Sequence, residues 1–259
     1  METRDQMNPN RTKARLQAGE TVYGCFNAMN EPRLVELYGY QPWDFMVFDG
    51  EHAPLEPRDV ENLTRAAQLM DFTPLVRATT NAQPTILRYL DTGAMGVIIP
   101  WVNTPQEAEA VVRSVKYFPR GLRGLAGSRA ADYGQTMPLA EYSAQANAET
   151  LVVVQCESPT AVENAAAIAA IDGVDVVFVG PTDLSQSMGL TGQTEHPDVI
   201  AAIDRVIAAV TPAGKAVGIM VKSAESAIFW RERGVRFIAT SMEGLIASGM
   251  RAYLSAVRG

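Results

Sequence analysis

Residues 151–185 read LVVVQCESPTAVENAAAIAAIDGVDVVFVGPTDLS. Two short apolar runs, 151–156 and 175–179, flank a helix-like stretch at 159–170. The runs are continuous rather than alternating, the pattern of parallel strands covered on both faces. Ser158-Pro159 reads as an N-cap followed by proline at the first helical position, where its missing N–H costs nothing. The segment is therefore a strand–helix–strand unit.

Working outward, the same alternation recurs at a spacing of roughly 25 residues. Strand-like runs fall at 21–27, 45–49, 74–78, 96–101, 216–221 and 236–241, in addition to the two above. Helix-like stretches fall between them at 58–70, 82–92, 105–117, 198–210, 223–233 and 243–257, with Thr104-Pro105 repeating the N-cap and proline signal. Strands alternating with helices through 259 residues predict an α/β fold, a closed (β/α)₈ TIM barrel forming a single domain over 1–259. An open doubly wound sheet is the alternative, and it predicts a glycine fingerprint after the first strand. The sequence there, CFNAMNEP (25–32), has none. The polar N-terminus, 1–12, is expected to be flexible. The connection 118–138 is long and carries Gly and Arg, and a further helical stretch follows near 139–148. Such a loop is either functional or a mobile surface insertion.

Composition narrows the function. A net charge of −7 leaves no basic excess for neutralising phosphates and argues against a nucleic-acid partner. Two cysteines, Cys25 and Cys156, do not make a disulfide scaffold and fit a reducing cytoplasm. No apolar run approaches the ~20 residues needed to span a bilayer, and the first residues lack the apolar core of a signal peptide. A soluble, cytoplasmic protein acting on small molecules is expected.

In a barrel of this kind, chemistry sits at the carboxyl ends of the strands. Strand two ends in Asp49-Gly50-Glu51-His52, strand three carries Arg77, strand five ends in Gln155-Cys156-Glu157, and strand six runs into Gly180-Pro181-Thr182-Asp183. Glu157 and Asp183 sit at neighbouring strand ends. Paired carboxylates repel unless a proton or cation lies between them, and oxygen ligands suit a hard ion such as Mg²⁺ or Mn²⁺. The same acids also fit helix caps: Glu157 precedes Ser158-Pro159, and Asp183 precedes Leu184. Of the two histidines, His196 lies in a polar stretch before Pro197 and reads as a surface residue. His52 follows Asp49 by three residues, close enough for that carboxylate to orient the imidazole as a general base. Arg77 lies among apolar neighbours, so it either pairs with Asp49, Glu51 or Asp91, or grips an oxyanion, or both. Trp101, Met220 and the 118–138 loop, with Arg123 or Arg129, are candidates for the mouth of the site and for choosing its second substrate. Trp101 and Met220 fit the core equally well.

These stretches resemble a known family. DGEHAP (49–54), VRATTN (76–81), LDTGAMGVIIPWV (90–102), GLRG (121–124), VQCES (154–158), VDVVFVGPTDLS (174–185) and HPDV (196–199) are similar to motifs of the HpcH/HpaI family of class II pyruvate aldolases, over about residues 13 to 257. That family includes 4-hydroxy-2-oxoheptanedioate aldolase and 2-keto-3-deoxy sugar-acid aldolases. The resemblance implies a barrel of the phosphoenolpyruvate/pyruvate type and a divalent metal (Mg, Mn or Co). It also implies a homo-oligomer, a hexamer or trimer, with the last helix, 243–259, exchanged between subunits. The implied reaction is reversible cleavage of a 4-hydroxy-2-oxo acid to pyruvate, or a close analogue, and an aldehyde. The implied roles are Glu157 and Asp183 as metal ligands, Arg77 on the pyruvate oxygen, and His52 supported by Asp49 as the base. Gln155 would line the pyruvate site, and the backbone amides of Thr182 and Asp183 would hold its carboxylate. Thr182 stands where alanine is expected, which leaves those amides intact. Cys156 stands where isoleucine is common and reads as buried and inert.

Three other readings compete. A Schiff-base aldolase needs a lysine at the mouth, and of Lys13, Lys116, Lys215 and Lys222 only Lys222 follows a strand. A citryl- or malyl-CoA lyase-like activity needs a basic surface for the CoA phosphates, and no such cluster appears. A non-catalytic binding barrel would not need acid, base, arginine and metal ligands together.

Overall fold

A computed structural model describes residues 9–259. Eight parallel strands close into a barrel in sequence order: β1 (Val22–Asn27), β2 (Phe45–Asp49), β3 (Thr73–Arg77), β4 (Gly96–Ile99), β5 (Leu151–Cys156), β6 (Val176–Val179), β7 (Ala216–Met220) and β8 (Phe237–Ser241). Helices cover the outside, so both faces of every strand are buried, as the continuous apolar runs require.

The two-residue period of the strands sorts the core into two layers. Val22, Phe26, Phe45, Val47, Leu75, Ile98, Leu151, Val153, Val176, Phe178, Phe237 and Ala239 fill the barrel interior as one cluster. The intervening residues, such as Met46, Val76, Val97, Val152 and Val177, pack outward against the helices. Continuing the inward parity to the carboxyl ends leads from Val47 to Asp49, from Leu75 to Arg77 and from Val153 to Gln155. The strands thus aim a ring of polar residues into one mouth.

The expected strands stand within two residues of those observed. β4 stops at Ile99 rather than 101, because Pro100 has no N–H for a ladder and Trp101 turns to φ 56°. The helix expected over 159–170 is two, Pro159–Glu163 and Ala165–Ala169. Asn164 separates them, its side-chain amide donating to the Asn103 carbonyl at 2.8 Å. Asp183 does not cap a helix begun by Leu184; the helix runs Pro181–Ser187 with Gly180 as its N-cap. Short helices at Arg11–Gln17 and Pro32–Gly39 were not expected. The flexible segment expected over 1–12 is corrected at its end. Asn10 is buried, caps the first helix, and donates to the carbonyls of Met95 and Glu149 at 3.0 Å each. Residues 1–8 lie outside the described residues. Among the described residues no helix is long and apolar enough to cross a membrane.

Candidate active site

β2 and β3 pair so that Asp49 is the register partner of Arg77. Both side chains are buried, and the planar guanidinium meets the carboxylate as a fork, Nε to Oδ1 at 2.9 Å and Nη2 to Oδ2 at 2.6 Å. Glu51 approaches the remaining nitrogen, Nη1, at 3.1 Å. Phe26 lies under the guanidinium carbon, 4.9 Å from ring centre. A guanidinium has five N–H groups. After the Asp49 fork and the Glu51 contact, two remain for a ligand.

Burial opposes ionisation of Asp49, yet the Arg77 hydrogen bonds and charge outweigh it and hold the carboxyl below its ordinary range. The Asp49 oxygen also accepts the backbone N–H groups of Glu51 and His52, each at 3.1 Å. This corrects one expectation: Asp49 orients the backbone before His52, not its imidazole. The acid beside the ring is Glu51, 3.9 Å from Nε2, and the imidazole is largely exposed at the mouth. The reason is geometric. Asp49 still has strand parity and points inward, whereas His52 lies in the turn beyond the strand end.

β5 supplies the second half. Glu157 is 2% exposed, and both of its oxygens are held. Oε1 accepts from the Gln155 side-chain amide at 2.6 Å, and Oε2 accepts from the Trp101 backbone N–H at 3.2 Å. Burial, followed by the charge of Asp183, pushes the Glu157 carboxyl up to about 8, against the opposing Trp101 N–H. Gly180 makes room for this arrangement, since a Cβ there would fall 2.6 Å from Glu157 Oε1. Its φ of −95° suits any residue, so the requirement is purely steric. Gly180→Ala should fold normally by circular dichroism yet lower turnover on the order of 10²-fold by displacing the carboxylate. Unchanged turnover would show that the position of Glu157 is not critical.

Asp49, His52, Arg77, Gln155, Glu157, Thr182, Asp183 and Met220 all line one cavity of about 310 Å³ at the carboxyl ends of the strands. The amides of Thr182 and Asp183 belong to the first turn of the Pro181–Ser187 helix, where N–H groups have no intrahelical acceptor. Trp101 does not line this cavity; its contribution is the backbone N–H, presented from a left-handed conformation. Arg123 and Arg129 are elsewhere, Arg123 pairing with Asp91 at 3.0 Å. None of the four lysines lines the cavity; Lys222 faces a neighbouring one. His196 is an N-cap, its ring nitrogen accepting the Asp198 N–H at 3.2 Å. Cys156 is buried, and burial raises its thiol to about 12, so it is inert. Phe26, Phe178, Ser241 and Glu243 also line the cavity and were missed. Phe26, Phe178 and Ser241 share inward strand parity, a signal that was available; Glu243 follows β8 and accepts the Ala28 N–H at 2.9 Å.

The cavity residues fit a divalent cation. Gln155 Oε1 is buried with no hydrogen-bond partner, and the ionised form of buried Glu157 is destabilised by the Asp183 charge. An all-oxygen donor set with uncompensated negative charge is what a hard cation satisfies. Among the described residues no group of three or more His, Cys, Asp or Glu side chains is arranged to hold a metal. Glu157 and Asp183 are the carboxylates that would hold such an ion, with water and substrate completing the sphere, a common arrangement for Mg²⁺.

In metal-free buffer the raised Glu157 carboxyl has a stability consequence. Its contribution is fully present below the ordinary 4.5 and is lost as pH rises through about 8, because the folded state retains a proton that the unfolded chain releases. Glu157→Gln, an analogue of the protonated form, should flatten that decline in Tm measured with EDTA from about pH 5 to about pH 9. Parallel curves for the two proteins would contradict it.

A family model described as HpcH/HpaI aldolase/citrate lyase matches residues 22–248. The chain belongs to that family. By that kinship the HpcH/HpaI chain is a carbon–carbon lyase. It is 37% identical over 236 residues to a hydroxypyruvate/pyruvate aldolase of Roseobacter denitrificans, covering 90% of this chain and 91% of that one. It is also 37% identical over 242 residues to a 5-keto-4-deoxy-D-glucarate aldolase of Salmonella arizonae, covering 93% and 94%. The solved structure of an HpcH/HpaI aldolase/citrate lyase family protein from Burkholderia cenocepacia superposes with a TM-score of 0.92 at 36% identity, covering 96% of this chain and 100% of that one.

Proposed function

We propose that this HpcH/HpaI enzyme reversibly cleaves 4-hydroxy-2-oxo acids to pyruvate, or a close analogue such as hydroxypyruvate, and an aldehyde. The observation that carries the reading is the convergence of Arg77, Gln155, Glu157, Asp183 and His52 on one cavity. These groups match the needs of an enolate: positive charge where oxygen becomes anionic, a base at the mouth and a floor closed to water.

Glu157 and Asp183 would hold the divalent cation, Mg²⁺, Mn²⁺ or Co²⁺, which when bound supplies positive charge for the 2-oxo group. The first-turn amides of Thr182 and Asp183 receive the substrate carboxylate, where a helix N-terminus favours an anion. His52, exposed at the mouth, accepts the proton of the 4-hydroxyl. The C3–C4 electron pair then moves toward the 2-oxo carbon, releasing the aldehyde and leaving pyruvate enolate. The two N–H groups of Arg77 left by Asp49 and Glu51 hold the enolate oxygen. Because its partners fix the guanidinium beforehand, little reorganisation accompanies charge development. The proton taken up by His52 is then delivered to C3, directly or through water, which gives pyruvate and returns His52 to its starting form. Asp49 is a positioning residue for Arg77, and Gln155 for Glu157. Met220 on the cavity wall bounds the space left for the aldehyde.

The family kinship and the last helix support a homo-oligomer of a single-domain chain. In Met242–Arg258 only Met242 is buried, and Leu245, Ile246, Met250, Tyr253, Leu254 and Val257 are exposed. An apolar face of this extent suits exchange onto a second subunit. The test of function is a lactate-dehydrogenase-coupled screen of 4-hydroxy-2-oxo acids with Mg²⁺, Mn²⁺ or Co²⁺. Pyruvate release from at least one substrate is expected, and none from any would overturn the assignment.

A further inference from the structure

The 118–138 connection, unused by the chemistry above, roofs a second cavity of about 330 Å³ lined by Arg65, Gln68, Arg123, Arg129, Tyr133 and Tyr142, among others. Its wall includes Met95 and Thr150, the residues just before β4 and β5, so it opens at the amino ends of the strands, opposite the catalytic mouth. The two cavities share no lining residue.

Three guanidiniums and one carboxylate, Asp132, line this space. Arg65 has a partner in Glu61, four residues earlier on the same helix. Arg123 is 6% exposed and lies 4.7 Å from the Tyr117 ring centre. One of its nitrogens, Nη2, meets Asp91, while its Nε is buried with no acceptor. With its side chain only 2% exposed, Arg123 contributes positive charge behind the cavity wall rather than an open hydrogen-bonding edge. Arg129 donates to the Thr92 carbonyl at 2.5 Å and to the Gln68 side-chain oxygen at 2.7 Å, both neutral. Among the described residues it has no carboxylate partner, although the cavity half-buries its charge. Gly93, at φ 95°, lets it lie this close, because a Cβ there would collide with Arg129 Nη1. Tyr133 lines the same wall, while the Thr136 hydroxyl donates to Asp132 at 3.1 Å and so occupies one oxygen of the lone carboxylate there.

We propose that this cavity is a second binding site, for a small molecule bearing an oxyanion (a phosphate or a carboxylate) held by Arg129, with the charges of Arg65 and Arg123 nearby. Arg129 keeps three of its five N–H groups after Thr92 and Gln68, which suits the oxygens of either group, and the volume is at the lower end of metabolite sites. The polar rim and the Met95 and Met137 side chains fit a compact polar ligand better than a long apolar one.

Isothermal titration of the full-length protein tests it, with inorganic phosphate in one arm and malonate in the other, against chloride at equal ionic strength. Oxamate at saturation occupies the catalytic pocket in every run. Binding of one anion with Kd below about 10 mM is expected, and the arm that binds assigns the ligand as phosphate or carboxylate. Arg129→Met should weaken it at least ~10-fold and leave turnover at saturating substrate unchanged. If that variant fails to fold, Arg65→Met, on an exposed ion pair, should weaken binding about 2- to 5-fold through loss of nearby charge. No binding in either arm, or equal affinity in the wild type and the variant that folds, overturns the proposal. Because Arg129 lines only this cavity, loss of binding in its variant reports on this site alone and stands or falls separately from the aldolase assignment.

Discussion

Replacing Arg77 with methionine is expected to lower kcat for cleavage of a 4-hydroxy-2-oxo acid by about 10²–10³-fold, the effect of removing one preorganised oxyanion donor. Two consequences must be separated. Asp49 would keep a buried carboxylate, and Glu51 a half-buried one, without their cation, and breaking a buried pair costs about 3–5 kcal/mol of stability. The Tm should therefore fall along with activity. Arg77→Lys distinguishes the effects: it restores a positive charge for Asp49 but cannot form the fork or leave two N–H groups for the enolate. We expect Arg77→Lys to recover most of the Tm and little of the kcat. Recovery of both together would make Arg77 a structural residue. His52→Ala, at an exposed position, should cost about 10²-fold in turnover without a Tm change.

The second large effect concerns the acid pair. Glu157→Gln and Asp183→Asn should each reduce turnover by about 10³-fold or more, since metal charge stabilisation amounts to several kcal/mol and each 1.36 kcal/mol is tenfold. The variants should diverge in stability. Glu157→Gln keeps a side chain of the same shape and is neutral without the proton that Glu157 must take up on folding near pH 7, so the metal-free protein should be stabilised there. Asp183 is half-buried at the mouth, so Asp183→Asn should be nearly neutral. Titration with Mn²⁺ should show weakened binding in both variants. Wild-type Mn²⁺ affinity in either would remove that carboxylate from the metal site.

Much of this was legible from the chain. Eight continuous apolar runs identify parallel strands because burial on both faces leaves no polar alternation to interrupt them. Once a barrel is assumed, the last residues of the runs face one mouth, which singles out Asp49, Arg77, Gln155 and Glu157 without coordinates. What failed to appear follows from how sequence spacing maps onto space. Asp49 and His52 are three residues apart, but one ends a strand and the other lies past it, so the carboxylate turns to Arg77 on the next strand. Glu51 became visible as the acid beside His52 only when the turn was placed. The Trp101 side chain looks like a pocket wall, whereas its contribution is a backbone N–H exposed by a left-handed residue. The helices Arg11–Gln17, Pro32–Gly39 and Pro181–Ser187 are about two turns long, too short for a 3.6-residue period to declare itself. The length of the 118–138 connection makes Arg123 or Arg129 a candidate for the mouth, yet both line a cavity beside Met95 and Thr150 at the opposite end of the barrel.

Everything in the catalytic scheme depends on a cation between Glu157 and Asp183. The wild-type enzyme should be stripped with EDTA, passed into metal-free buffer, and assayed for pyruvate release before and after addition of Mg²⁺, Mn²⁺ or Co²⁺. We predict no release above background from the stripped enzyme and full recovery with at least one ion. Undiminished release without metal, accompanied by borohydride trapping of pyruvate on a lysine, would contradict it.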